Sequence, residues 1–300
     1  MNILITGSTG MIGTALIEFL KARGHRVTRL VRTSEQSSEP VVRWDPNAGV
    51  LQASEIEGCD AVVHLAGESI AASRWTTVQK AKIRDSRVQG TTLLAEALAK
   101  LKQPPKVLVS ASAIGYYGHR GDEALREESS PGTGFLPATC VEWEKAADPA
   151  RQKGIRVVHP RFGIILSPKG GALAKMLLPF KLGAGGIIGN GKQYWSWVSL
   201  DDVIGAIHHA IVTESVVGPM NVVAPRAVTN YEFTKTLGRV LSRPAIFPLP
   251  AFAARLVLGE MADELLLASA RIEPARLVAT GYKFRHTELE KALRELLGKS

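Results

Sequence analysis

The stretch "ILITGSTGMIG", residues 3–13, decides the fold. It joins a short apolar β-type run to three glycines and then to the start of a helical pattern. Ile12, Leu16, Phe19 and Leu20 carry that pattern on at helical spacing, and Gly24 is placed to end it. "RVTRLVR" at 26–32 follows as a second strand, so a β-helix-β unit opens the chain. In such a unit Gly7 takes the tight turn, Gly10 lets backbone approach a pyrophosphate, and Gly13 lets helix and sheet pack closely. The helix N-terminus adds unpaired N–H groups and positive potential. This is the phosphate-binding half of a doubly wound sheet.

The alternation continues outward from it. Pro40 and "DPNAG" predict a loop with a small hairpin within 33–60, and "AVVHLAG" at 61–67 returns as a buried strand. A helical pattern from about Thr76 to Lys100 stops before Pro104 and Pro105, and "KVLVSAS" at 106–112 is the next strand. A helix around 138–153 and the strand "RVVHPRF" at 156–162 follow. From Ser167 to Trp197 the texture turns Gly-rich around one apolar helix, whereas "SLDDVIGAIHHAI" and "PMNVVAP" look like sheet-and-helix structure again. The predicted fold is therefore α/β: a Rossmann-type doubly wound parallel sheet with a smaller, mainly helical C-terminal substrate lobe. Residues 1–166, re-entered at about 198–225, form the nucleotide domain; 167–197 and 226–300 form the lobe.

Composition narrows the function classes. Of 300 residues, 45% are hydrophobic and 22% charged with no low-complexity tract, which places the chain among globular proteins. Cys59 and Cys140 are the only cysteines, so neither a disulfide framework nor a bound metal is expected, and a reducing cytoplasm is the natural setting. The net charge of +9 is dispersed, without a Lys/Arg block or a nucleic-acid-binding signature. No apolar run approaches the length of a membrane span, so neither nucleic acid nor membrane is an expected partner.

The second strand ends at Arg32, where a site for NAD usually carries an acid, and the next acid is Glu35. An arginine can instead fork onto a 2′-phosphate, which predicts NADP(H). "HLAG" at 64–67 ends a neighbouring strand, so Leu65, Ala66 and Gly67 can line the cofactor through backbone. On the helix after it, Lys80, Lys82, Arg84 and Arg87 are mostly a solvated face, with Arg87 the best placed to turn inward.

Taken together, "TGSTGMIG", "HLAG", "VSASAIGYYG", "PRFGIILSP" and "WVSLDDV" resemble the extended short-chain dehydrogenase/reductases, over roughly residues 1–225. "HLAGESI", "PKGGALAKMLLPFKLGAGG" and "FPLPAF" with "LGEMADELLLAS" extend the likeness over nearly the whole chain. They resemble an atypical epimerase-like subfamily with an extra C-terminal domain of unassigned function. The resemblance implies a phosphate loop of Gly7, Thr9, Gly10, Met11, Ile12 and Gly13, with Arg32 facing the 2′-phosphate. It implies cofactor contacts from Lys82 and Arg87 and from backbone at Gly163 and Ile164. Homodimerisation is an expectation of the resemblance alone, and the small-molecule substrate stays unnamed.

The chemistry departs from the wider family. There a Ser polarises the substrate oxygen and a Tyr-x-x-x-Lys pair relays the proton. Lowering a phenol pKa from near 10 towards 7 takes roughly 4 kcal/mol, which the ammonium helps supply. Ser112 stands at the serine position, but "FLPATCVEWEK" puts Leu136 and Cys140 in the Tyr and Lys slots, counted back from Glu144. Tyr116 or Tyr117 is the alternative proton carrier, and Glu68 is a further carboxylate. "YEFTK" at 231–235 has the right spacing in the wrong place: Thr229 and Glu232 make a capping box, so it reads as a helix entrance. Two functions follow, an NADPH-dependent oxidoreductase or epimerase on a polar carbonyl or hydroxyl, and a non-catalytic NADPH sensor or partner-binding protein.

Overall fold

A computed structural model of the chain describes residues 1–32 and 39–299; Glu35 lies outside them. Strand β1 (Asn2–Thr6) runs into the glycine loop and helix α1 (Met11–Lys21), and β2 (Arg26–Val31) returns parallel to β1. The expected hairpin is β3 (Val41–Asp45) with β4 (Val50–Leu51), its turn closed by Asn47 and Ala48 N–H groups donating to the Asp45 carboxylate. Then come β5 (Ala61–His64), helix α2 (Thr77–Ala99), β6 (Val107–Ser110) and the short β7 (Ser112–Ala113). The Thr76 hydroxyl accepts the Gln79 N–H and starts α2 one residue after the predicted point.

After β8 (Ala124–Leu125) come helices α3 (Phe135–Lys145) and α4 (Asp148–Gln152) and strand β9 (Arg156–Phe162). Strand β13 (Gly218–Val222) completes a mainly parallel sheet in the order β13-β9-β6-β5-β1-β2-β3-β4. The chain leaves β1 towards β2 and β3, then comes back to β5 on the other side. The order therefore reverses between β1 and β5, and ligands of open α/β sheets bind at the carboxyl ends of such a switch point. Gly7 and Leu65 are the first residues past those two ends.

The chain divides into two compact units: 1–112, 139–160 and 204–220 form the first; 113–138, 161–203 and 221–300 the second. The expected boundary at 166 therefore does not match the division. Segment 113–138 leaves the first unit because β8 pairs in parallel with β15 (Arg271–Ile272) near the far end of the sequence. The core of the first unit packs Leu4, Leu30, Trp44, Val62 and Leu108 with Leu94 and Leu98 of α2. Each of those α2 leucines is fully buried, worth roughly 1.5–3 kcal/mol.

The second unit holds β10 (Ile164–Ser167), α5 (Gly171–Lys181), β11 (Tyr194–Trp195), β12 (Trp197–Ser199) and the first turn of α6 (Leu200–Val212), whose remainder belongs to the first unit. Strand β14 (Val228–Thr229) leads to α7 (Asn230–Leu241), with the capping box of Thr229 and Glu232 formed as predicted. Phe233 and Leu237 of α7 are buried with Trp195 and Trp197, Tyr231 is exposed, and the Lys235 ammonium donates to the Ala245 carbonyl. Helices α8 (Ala251–Leu258), α9 (Glu260–Ala262), a π-turn at Asp263–Leu267, α10 (Ala275–Ala279) and α11 (Leu289–Leu296) complete the chain. Within this unit Glu264 of the π-turn accepts the N–H groups of Phe135 and Leu136 at 2.9 and 2.8 Å, capping α3 with a carboxylate where a helix favours one. Asp201, His286 and Glu295 also gather here, but Arg285 bridges both carboxylates, so the cluster already has its counter-charge. Among the described residues no helix is long and apolar enough to cross a membrane.

Candidate cofactor and acid–base site

The glycine loop is built for close approach. Gly7 has φ +65°, and a Cβ there would lie 2.7 Å from the Leu65 carbonyl carbon. A Cβ on Gly13 would lie 2.3 Å from Gly7 O. Helix α1 begins at Gly10 with no side-chain cap, which leaves its first N–H groups to an external acceptor. Thr9 and Gly10 are exposed, Met11 and Ile12 half-buried. These residues fit a dinucleotide pyrophosphate. Gly13→Ala is expected to destabilise the fold by about 1–3 kcal/mol through that overlap, read as a fall in the urea midpoint.

Arg32 is exposed at the end of β2. A second arginine accompanies it: Arg29 donates from Nε to the Ser8 hydroxyl at 3.0 Å, which brings its side chain to the glycine loop. Nothing in the sequence singles out Arg29, which lies inside a strand and meets the glycine loop only in the fold.

The strand end at Leu65–Gly67 is held by a buried relay. The Thr6 hydroxyl accepts the N–H groups of Leu65 and Ala66, both at 3.1 Å, so its own proton points at His64 Nδ1, 2.7 Å away. That assigns the ring proton to Nε2, which donates to the Thr91 hydroxyl at 3.0 Å; Trp143 Nε1 donates to the same oxygen. Burial pushes the His64 pKa down to about 4, so the ring is neutral. It is a structural histidine.

Arg87 does turn inward. Its guanidinium donates to the carbonyls of Glu68 and Ile83 at 2.9 and 3.0 Å, lies 5.0 Å over the Trp143 ring, and has its pKa lowered by burial. A Cβ on Gly67 would sit 3.4 Å from its Cζ, so the arginine lies against the Leu65–Gly67 strand end. Lys82 is exposed, and its position five residues from Arg87 turns it to another face of α2. The Glu68 carboxylate accepts from Gln79 at 3.5 Å.

Ser112 is buried, and its hydroxyl donates to Glu144 Oε1 at 2.7 Å. This contact lies in the same unit as the glycine loop. Glu144 stands four residues after Cys140, one helical turn beyond the vacated Lys slot. Cys140 and Leu136 are both buried. Sequence reading used Glu144 only to set the register and gave it no role.

The remaining expected residues belong to the second unit. Tyr117 is fully buried; its hydroxyl donates to Asn221 Oδ1 at 2.7 Å, approaches the Arg126 carbonyl at 3.0 Å and accepts from Arg161 at 2.9 Å. Burial, partly offset by Arg161, pushes its pKa up to about 12. Those bonds make Tyr117 a structural hydroxyl rather than a proton carrier, a correction to the expectation that either tyrosine of the pair can serve. Tyr116 is half-buried, with the Arg161 guanidinium 3.5 Å over its ring. Gly163 and Ile164 donate their N–H groups to the carbonyls of Val222 and Ser196, so neither N–H is left for an amide ligand.

Comparison with known proteins adds the following. Residues 3–223 match the model of the NAD dependent epimerase/dehydratase family, and 249–296 match a domain of unknown function, DUF1731. An epimerase family protein of Mycobacterium tuberculosis is 43% identical over 291 residues, 97% of this chain and 96% of that protein. The crystal structure of human epimerase family protein SDR39U1 (isoform 2) with NADPH superposes with a TM-score of 0.90 at 37% identity over the whole of both chains. A nucleoside-diphosphate sugar epimerase from Corynebacterium glutamicum gives a TM-score of 0.81 at 37% identity, over 99% of this chain and 58% of that one.

Proposed function

The chain belongs to the NAD dependent epimerase/dehydratase family, and from that premise we propose that it is an NADPH-dependent oxidoreductase or epimerase acting on a polar carbonyl or hydroxyl, as nucleotide-linked sugars carry. The observation that carries this reading is the 2.7 Å bond from the Ser112 hydroxyl to Glu144. It supplies, on the helix whose Tyr and Lys slots hold Leu136 and Cys140, a base joined to the serine. A nicotinamide cofactor held at the glycine loop would supply the hydride acceptor or donor. When a substrate alcohol is oxidised, its C–H pair leaves as that hydride and its O–H pair becomes the carbonyl π bond. The hydroxyl proton passes to Ser112 Oγ as the serine proton passes to Glu144. Reduction runs the same transfers backwards, and the test is NADPH oxidation over a panel of carbonyl compounds and sugar nucleotides.

Arg32 and Arg29 are the cations for a 2′-phosphate. Hydrogen bonds to charged groups contribute roughly 1.5–3 kcal/mol, so Arg32→Glu is expected to weaken NADPH binding roughly tenfold to a hundredfold while leaving NADH binding nearly unchanged. Fluorescence titration of both nucleotides measures this, and equal affinity of the unmodified protein for NADH and NADPH overturns the assignment.

A second reading is favoured by the buried Leu136 and Cys140 in the relay slots and by the locked Tyr117 hydroxyl. In it the protein holds NADPH as a sensor or to present a partner surface. Tight NADPH binding with no turnover across the panel selects it.

A further inference from the structure

The second unit carries an apolar face that its own core does not use. Leu178 and Leu182 at the end of α5, Ile246 and Phe247 in the segment after α7, and Phe252 and Leu256 of α8 are all exposed, Leu182, Phe252 and Leu256 by about three-quarters. Backbone contacts join the segment after α7 to the one after α5. Phe247 and Leu249 N–H donate to the carbonyls of Gly185 and Ile187, Gly189 N–H donates to Leu249, and Arg243 Nε donates to the Lys181 carbonyl. The strap 243–249 thus lies along 181–189 and runs straight into α8. Several large apolar side chains exposed on neighbouring segments mark an interaction site.

Charge says what covers it. The two stretches that build the face, 167–200 and 233–259, contain no Asp or Glu at all. Their charged residues are Lys169, Lys175, Lys181 and Lys192 in the first and Lys235, Arg239, Arg243 and Arg255 in the second; Arg239 and Arg255 pair with Glu290 and Asp263 outside the stretches, so Lys181 and Arg243 are the cations the face offers beside its apolar residues. Aromatic and aliphatic side chains projecting from a basic surface are the composition of an element that lies in the headgroup region of an anionic bilayer. A second copy of the same face would bring like charges together, which disfavours a symmetric pair.

We propose that this face is a peripheral docking surface for anionic lipid membrane, with Phe247, Phe252 and Leu256 entering the headgroup boundary and Lys181 and Arg243 meeting lipid phosphates. The expectation of no membrane partner rested on the absence of a spanning segment; a surface that lies on a bilayer needs none. The test is flotation of the full chain with phosphatidylglycerol-containing vesicles and with pure phosphatidylcholine vesicles. Binding is expected only to the first, weakened by high salt, and reduced roughly tenfold or more by Phe247→Ser with Phe252→Ser and roughly tenfold by Lys181→Glu. NADPH affinity and the urea midpoint of these variants should equal those of the parent, since the substituted side chains are exposed. Absence of binding to either vesicle overturns the proposal, as does equal binding to both. Concentration-dependent dimerisation that the Phe pair abolishes, without vesicle binding, overturns it in favour of a second copy.

Discussion

Glu144→Gln is expected to lower kcat by roughly a hundredfold to ten-thousandfold, the range general acid–base groups contribute, while NADPH affinity stays at the parent value. The amide keeps the size and can still accept the Ser112 hydroxyl bond, now 2.7 Å to a carboxylate, but it cannot take up the proton that arrives through it. Ser112→Ala should cost about as much, because it removes the link between substrate oxygen and base. The double variant should be little worse than either single one, as for groups that act as one unit. Unchanged NADPH titration separates these losses from misfolding. Turnover surviving in Glu144→Gln sinks the relay, and loss of turnover in Tyr116→Phe instead transfers the role to the tyrosine.

What sequence reading reached, and what it missed, follows from how far apart the interacting residues lie. The glycine loop was legible because turn, phosphate contact and helix start are all set within seven residues, Gly7 to Gly13. Arg32 was legible for a similar reason: a strand end places one side chain without help from elsewhere. The capping box at Thr229 and Glu232 is local too, which is how a well-spaced Tyr and Lys could be set aside. Ser112 and Glu144 are 32 residues apart, and only the neighbouring placement of β7 and α3 shows that they bond. The role of Tyr117 depends on Asn221, 104 residues away, and on Arg161. A hydroxyl at the end of the serine strand looks reactive until those partners are present. The division into units also rests on distant contacts, since two residues of β8 pair with a strand almost 150 positions later.

The buried relay behind the strand end leads to an acid-sensitivity of stability. His64 is fully buried between two threonine hydroxyls, and its pKa falls from the ordinary 6.5 to about 4 because the charged ring loses its water. In the unfolded chain it titrates near 6.5. Above that pH both states hold a neutral ring, and the stability associated with it is fully present. As pH falls from 6.5 towards 4 the unfolded chain takes up a proton that the folded protein refuses, so stability declines by about 1.4 kcal/mol per pH unit, or about 3 kcal/mol over the window. Urea denaturation at pH 7 and at steps down to 4, in the parent and in His64→Gln, measures it. Glutamine can accept from Thr6 and donate to Thr91 but does not titrate. The variant is expected to be less stable at pH 7, through imperfect replacement of the ring, and to lose about 3 kcal/mol less than the parent on acidification. His25, His208 and His209 also have lowered pKa values, and carboxylates titrate at the acid end, but both are common to the two proteins and cancel in the difference. Parallel pH profiles for the two proteins would mean that the His64 site admits a proton or water. The neutral relay holding Leu65 and Ala66 would then be the wrong account of how this strand end is fixed.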